Sequence, residues 1–176
     1  MVALTGFMGA GKTTVGRALA SLLDWSFFDL DHEIELRQKL LVRELFQLHG
    51  EEGFREIETD TLRSLLQQAS SPTVIALGGG TFVRPANAEL LRRRGVRIVF
   101  LETAIEELQE RCRVADQNSP ENPRPLAATP EAFHALYARR LPFYRNADIT
   151  VDATGKEVEQ LAREIVSNLH LYPRLH

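Results

Sequence analysis

The stretch "GFMGAGKT", Gly6 to Thr13, constrains this chain more than any other. Gly6, Gly11, Lys12 and Thr13 fit the pattern G-x-x-x-x-G-K-[ST]. The apolar run "VALT" (Val2 to Thr5) ahead of it reads as a buried strand. Behind it, "KTTVGRALASLL" (Lys12 to Leu23) puts Val15, Ala18, Leu19 and Leu22 on one helical face. Strand, glycine-rich loop and helix in that order make a phosphate cradle. The glycines let backbone N–H groups turn inward around phosphate oxygens, and the helix N-terminus adds partial positive charge. Gly9, Ala10, Gly11, Lys12, Thr13 and Thr14 are the expected nucleotide-binding residues. Lys12 is expected at the β and γ phosphates, and the Thr13 hydroxyl on Mg²⁺.

Beyond the cradle, strands and helices alternate. "WSFFDLD" (Trp25 to Asp31), "TVIALGGG" (Thr73 to Gly80), "VRIVFLE" (Val96 to Glu102) and "ADITVDA" (Ala147 to Ala153) read as strands. Helical patterns fill His32 to Gln68 (broken near Gly50 and Gly53), Ala86 to Gly95, Thr103 to Arg113 and Pro130 to Arg145. A last helix follows Gly155, with Val158, Leu161, Ile165 and Leu169 on its stripe. "VADQNSPENPRP" (Val114 to Pro125) holds three prolines and two asparagines without periodicity, and reads as a loop. The connections are long enough for right-handed crossovers. The fold class expected is α/β, a three-layer sandwich with a five-stranded parallel sheet flanked by helices. Ligands of such sheets lie beyond the carboxyl ends of the strands, where the cradle, Asp29, Asp31 and the Gly78–Gly80 run all fall. The 176 residues suit one domain, 1–176.

Composition removes several classes of function. The formal net charge of −3 leaves no basic footprint for nucleic acid. Anionic ligands must be held by local arginines. No apolar run is long enough to span a membrane. With Cys112 the one cysteine, no internal disulfide can form. The start "MVALTG" shows no signal peptide, so a cytoplasmic location is expected. A monomer is expected, because no apolar patch is left over.

The cradle implies a nucleoside triphosphate, not an acceptor. A GTPase would need N-K-x-D, and no Asn-Lys pair occurs. A motor-type ATPase would be longer and carry a hydrophobic run ending in paired acids. A small-molecule kinase needs an acceptor pocket and a lid, and candidates for both exist. On the strand reading, alternation puts Asp29 and Asp31 on one side of the chain. One would help hold Mg²⁺ through water and the other would take a proton from an attacking hydroxyl. An aspartate before "EIELRQ" is also a good helix cap. Arg55 and Glu58 are three apart on a helix and can pair, orienting the arginine for a carboxylate. The Gly78–Gly80 run permits close backbone approach to a ligand. Arg139, Arg140 and Arg145 offer a second clamp, and Arg124 a lid cation.

Taken together, "GFMGAGKTTVGRALA", "FFDLDHEIE", "ELFQLHGEEGFREIE", "VIALGGGT", "RPL" and "ARRLPFYR" resemble the shikimate kinase family, from Gly6 to about Asp152. The resemblance implies transfer of the γ-phosphoryl of ATP to the 3-hydroxyl of shikimate, giving shikimate 3-phosphate and ADP on the route to aromatic amino acids, with Mg²⁺. It implies a fold like that of nucleoside monophosphate kinases. By it Asp31 matches the candidate base and acceptor contact, and Asp29 the residue linked to Mg²⁺ through water. Arg55 and Arg140 match the carboxylate clamp, and Glu58 the acid that orients the arginine. Gly78, Gly79 and Gly80 match the run lining the acceptor site, with Phe46 and Phe54 as apolar walls. Arg124 matches the lid arginine near the transferred phosphate. Arg111 matches an arginine that stacks on adenine, with Arg113 the alternative. The loop "VDATGKEVE" lacks an arginine found in some members, leaving Lys156 there. The acceptor-binding region is expected at about 31–62 and the lid at about 112–126. Another small-molecule kinase of the same fold, such as a gluconate kinase, is the alternative. A nucleotide-binding regulator without turnover would be expected to lose Asp31 or a clamp arginine.

Overall fold

A computed structural model describes residues 1–69, 72–118 and 129–173 of the chain. Five strands form one sheet in the order β2-β3-β1-β4-β5, and every pairing is parallel. They are β1 (Val2–Thr5), β2 (Ser26–Asp29), β3 (Thr73–Ala76), β4 (Arg97–Glu102) and β5 (Ile149–Asp152). The helices are α1 (Lys12–Leu23), α2 (Leu30–Gln38), α3 (Val42–Gln68), α4 (Pro85–Arg93), α5 (Ile105–Asn118), α6 (Pro130–Tyr144) and α7 (Val158–Leu169). β1 is central, pairing Val2 with Val74 on one side and Arg97 on the other.

The inner strands β1, β3 and β4 are buried on both faces, which is why they read as continuous apolar runs, while the edge strands β2 and β5 are partly exposed. Val2 and Leu4 join Val15, Leu19, Phe133, Leu161 and Ile165 in one core cluster, under α1, α6 and α7. Ala3 and Ile75 join Leu30, Leu45, Leu62 and Leu91 in the other, under α2, α3 and α4. The period of two in a strand sends neighbours to opposite layers, and the three-layer architecture follows.

The structure corrects three of the sequence expectations. β2 ends at Asp29 and α2 starts at Leu30, so Asp31 is helical, not a strand residue alternating with Asp29. The cause is Asp29 itself. Its side chain caps α2 by accepting from the N–H groups of Asp31 and His32. Second, only Gly50 breaks α3, with φ 66° and ψ −175°, while Gly53 stays helical. Gly50 reorients the chain just before Phe54, Arg55 and Glu58. Third, α5 continues to Asn118, so 114–118 of the expected loop is helix.

Candidate active site

The glycine loop carries its charge-bearing side chains at the end of β1. Gly11 adopts φ 83° as the cap of α1, a left-handed conformation that a side chain would strain. Lys12 Nζ donates to the carbonyls of Gly6 and Phe7, both at 2.9 Å. Burial lowers the Lys12 pKa to about 8, against the opposing pull of Asp31 and Asp29. The Thr13 hydroxyl donates to Asp29 Oδ2 at 2.5 Å. Thr14 is exposed in the first turn of α1, and Ala10 is buried under the loop. Arg111, on α5, donates from Nη1 to the Gly9 carbonyl at 3.2 Å and from Nη2 to Glu107.

Asp31 occupies the space between this loop and the glycine run after β3. A Cβ on Gly78 would lie 2.9 Å from Asp31 Oδ1, 2.8 Å from Glu58 Oε1 and 3.0 Å from the Thr81 hydroxyl. Only a glycine lets these three groups approach the same backbone. Burial pushes the Asp31 pKa up to about 7, helped by the nearby carboxylates of Glu58 and Asp29 and resisted by Lys12 and Arg55. A carboxyl poised near neutral pH suits proton transfer.

The far side of the glycine run holds the arginines. Arg55 Nη1 donates to both oxygens of the fully buried Glu58 at 3.0 Å, and the Thr81 hydroxyl donates to Glu58 Oε1 at 2.7 Å. Phe46 and Phe54 stack at 4.3 Å, with the Arg55 guanidinium 5.7 and 5.2 Å from their centroids. A Cβ on Gly80 would overlap that guanidinium, 2.3 Å from Nη2. Arg140, on α6, is 5% exposed. A Cβ on Gly79 would lie 3.4 Å from its Nη1. Burial holds its pKa below the ordinary value, and the Arg55 charge adds to that. A cleft of about 320 Å³ opens here, lined by Arg55, Gly80, Arg84, Arg139 and Arg140 with Glu51 and Glu52. Two buried guanidiniums converging on glycine backbone suit a planar carboxylate.

The family model for shikimate kinase matches residues 8–170. The shikimate kinase of Geobacter sulfurreducens is 41% identical over 94% of this chain and 88% of that protein. That of Moorella thermoacetica is 42% identical over 93% of this chain and 91% of its own length. The chain belongs to the shikimate kinase family. Among solved structures, the Acinetobacter baumannii shikimate kinase in complex with shikimate superposes with a TM-score of 0.84, at 36% identity, covering 96% of this chain and 92% of that one. A gluconokinase from Sinorhizobium meliloti, at 18% identity and a TM-score of 0.60 over 96% of this chain and 90% of that one, shares the fold.

In this shikimate kinase fold, the residues expected from sequence gather at one end of the sheet. Asp29, Asp31, Lys12, Thr13, Arg55, Glu58, Arg140, Phe46, Phe54 and Gly78–Gly80 are all there. Arg124 lies outside the described residues, as does 119–126 of the expected lid. Arg111, not Arg113, is at the glycine loop, since Arg113 pairs with Glu110 on an exposed face. Lys156 pairs with Glu164 of α7, and Arg145 with Glu102 of β4. The sequence reading missed Thr81, Arg84 and Tyr144. Thr81 follows the glycine run directly, and its polar side chain inside "GGGTF" was a readable signal. Tyr144 stands within the quoted "RRLPFYR". Arg84 had no local signal.

Proposed function

We propose that Lys12, Asp31, Arg55 and Arg140 divide the work of a shikimate kinase along one line beyond the sheet. The chain transfers the γ-phosphoryl of ATP to the 3-hydroxyl of shikimate, giving shikimate 3-phosphate and ADP. The observation that carries the division of roles is the placement of Asp31 between Lys12 and the arginine pair Arg55–Arg140. The triphosphate is held by the Gly9–Thr14 backbone and Lys12, and the adenine side by Arg111. The shikimate carboxylate is clamped by Arg55 and Arg140, with Glu58 orienting Arg55. Gly78, Gly79 and Gly80 form the wall that lets the acceptor approach, and Phe46 and Phe54 give it an apolar side.

Phosphoryl transfer asks chiefly for in-line positioning and charge neutralisation. Asp31 accepts the proton of the acceptor hydroxyl as the new P–O bond forms, and the bond to the β-phosphate oxygen breaks. Lys12 balances charge on the transferred group. Arg124 is assigned the second cation there, on its motif alone. Thr13 and Asp29 are an oxygen-only donor pair, the hard ligand set that suits Mg²⁺. When bound, Mg²⁺ would neutralise phosphate charge.

The whole chain is read as one domain, 1–176, with the acceptor region at about 31–62 and the lid at about 112–126, acting as a cytoplasmic monomer on small molecules. No described helix is long and apolar enough to cross a membrane. A coupled ADP-release assay with ATP and Mg²⁺ tests the function, run separately with shikimate, gluconate and AMP. Turnover with shikimate alone is expected. Turnover with gluconate or AMP instead would overturn the acceptor assignment and leave the phosphate loop.

A further inference from the structure

We propose that Tyr144 is a positioning residue for the acceptor, its hydroxyl fixing the Gly79 peptide beside the Arg140 guanidinium. This rests on the acceptor reading above. The Tyr144 hydroxyl donates to the Gly79 carbonyl at 2.5 Å, across 65 residues of chain. The Arg140 guanidinium lies beside the same glycine, its Nη1 3.4 Å from where a Gly79 Cβ would stand. Arg140 and Tyr144 are four apart on α6, so one helical turn presents both to the glycine run.

The peptide geometry gives this contact a consequence. In a trans peptide the C=O and the following N–H point in opposite directions, and the described residues contain no cis bond. Holding the Gly79 carbonyl toward Tyr144 therefore turns the Gly80 N–H the other way. Gly80 lines the acceptor cleft. The tyrosine thus sets a backbone donor of the cleft without itself lining it. Its ring is anchored independently. It is fully buried and stacked on Phe100 of β4, with centroids 5.2 Å apart and planes at 29°. A phenol buried this deeply for packing alone would need no hydroxyl. This one is committed to a glycine carbonyl that lies beside an arginine of the proposed clamp.

Tyr144→Phe keeps the ring and its stacking and deletes only the hydroxyl. The expected result is a rise of about tenfold in KM for shikimate, the scale set by leaving a buried carbonyl without its donor. The KM for ATP should stay within about twofold. Phe100→Leu is the control, since it loosens the ring and leaves the hydroxyl. It should lower thermal stability without moving the KM for shikimate. A Tyr144→Phe enzyme with an unchanged KM for shikimate, or with both KM values raised together, overturns the positioning role. So does Phe100→Leu matching it in KM. Loss of the fold in Tyr144→Phe would make the hydroxyl a core contact and also overturn it. A wild-type enzyme without shikimate turnover overturns the functional reading and this proposal with it.

Discussion

Thr13 and Asp29 meet across 2.5 Å, the threonine hydroxyl donating to Asp29 Oδ2. The other carboxylate oxygen accepts from the N–H groups of Asp31 and His32, at 3.1 and 3.3 Å, and caps α2. One side chain therefore ties the phosphate loop to the helix that carries Asp31. Asparagine caps as well as aspartate, so Asp29→Asn should fold normally while losing the anionic oxygen beside Thr13. The Mg²⁺ concentration for half-maximal activity should rise on the order of 10-fold or more. A magnesium titration of activity with a parallel melting curve checks this. An unchanged titration midpoint would remove Asp29 from the metal site.

Asp31 should make activity and stability respond to pH in opposite directions. With its pKa near 7 and that of Lys12 near 8, kcat/KM should rise through about 7 as the base ionises and fall above about 8 as the lysine loses its proton. Stability runs the other way for Asp31. Its folded pKa lies above the ordinary aspartate value of 3.8, so its contribution is full below that value and lost as pH rises through about 7. Asp31→Asn should thus be nearly inactive at pH 8 yet more stable than the wild type. The gain should be a few kcal/mol, because each tenfold change in proton affinity between folded and unfolded chain is worth roughly 1.4 kcal/mol. The gap should close near pH 4. Denaturant melts at pH 4 and pH 8 would show it, and a variant with near-normal kcat would refute the role of Asp31.

Gly80 and Arg55 exclude any side chain between them. A Cβ on Gly80 would come within 2.3 to 2.6 Å of the guanidinium atoms, so the arginine must leave Glu58 or shift away from the cleft. Gly80→Ala should raise the KM for shikimate more than 10-fold, the scale of a displaced charge-assisted contact. Arg140→Ala should act in the same direction through the other clamp arm. ATP binding by the Gly9–Thr14 loop should change little in either. Separate KM determinations for the two substrates decide the matter, and a Gly80→Ala enzyme with normal KM for shikimate would separate Arg55 from the acceptor.

The phosphate loop was legible in the sequence because its geometry is local. Gly6, Gly11, Lys12 and Thr13 lie within one strand–turn–helix, and the spacing alone implies the cradle. The acceptor site was legible in a different way. The Arg55–Glu58 pair is a helical neighbour contact, but its partner Thr81 is 23 residues from Glu58, and no local pattern joins them. The clamp roles proposed for Arg55 and Arg140 rest on family resemblance, not on spacing. The β2–α2 boundary misread had a physical cause. "FFDLD" alternates like a strand, yet the Asp29 cap favours helix from Leu30 onward. The end of α5 was hidden because Arg113, Val114 and Ala115 are exposed, so no apolar stripe marked them as helix.

Arg111 and Arg113 provide the sharpest test of the nucleotide side. They are two apart on α5, so helical geometry sends them to different faces. Arg111 reaches the Gly9 carbonyl and shares Glu107, whose other oxygen accepts from the Gly155 N–H at 3.0 Å. Glu107 thereby links Arg111 to the loop after β5. Arg113 joins an exposed pair with Glu110, a contact of little energetic weight. Arg111→Ala should therefore raise the KM for ATP several-fold, on the scale of a lost cation contact, and leave the KM for shikimate unchanged. Arg113→Ala should be silent in both. Equal effects from the two variants would mean that general positive charge on α5, rather than the placement of Arg111 over the loop, is what attracts the nucleotide.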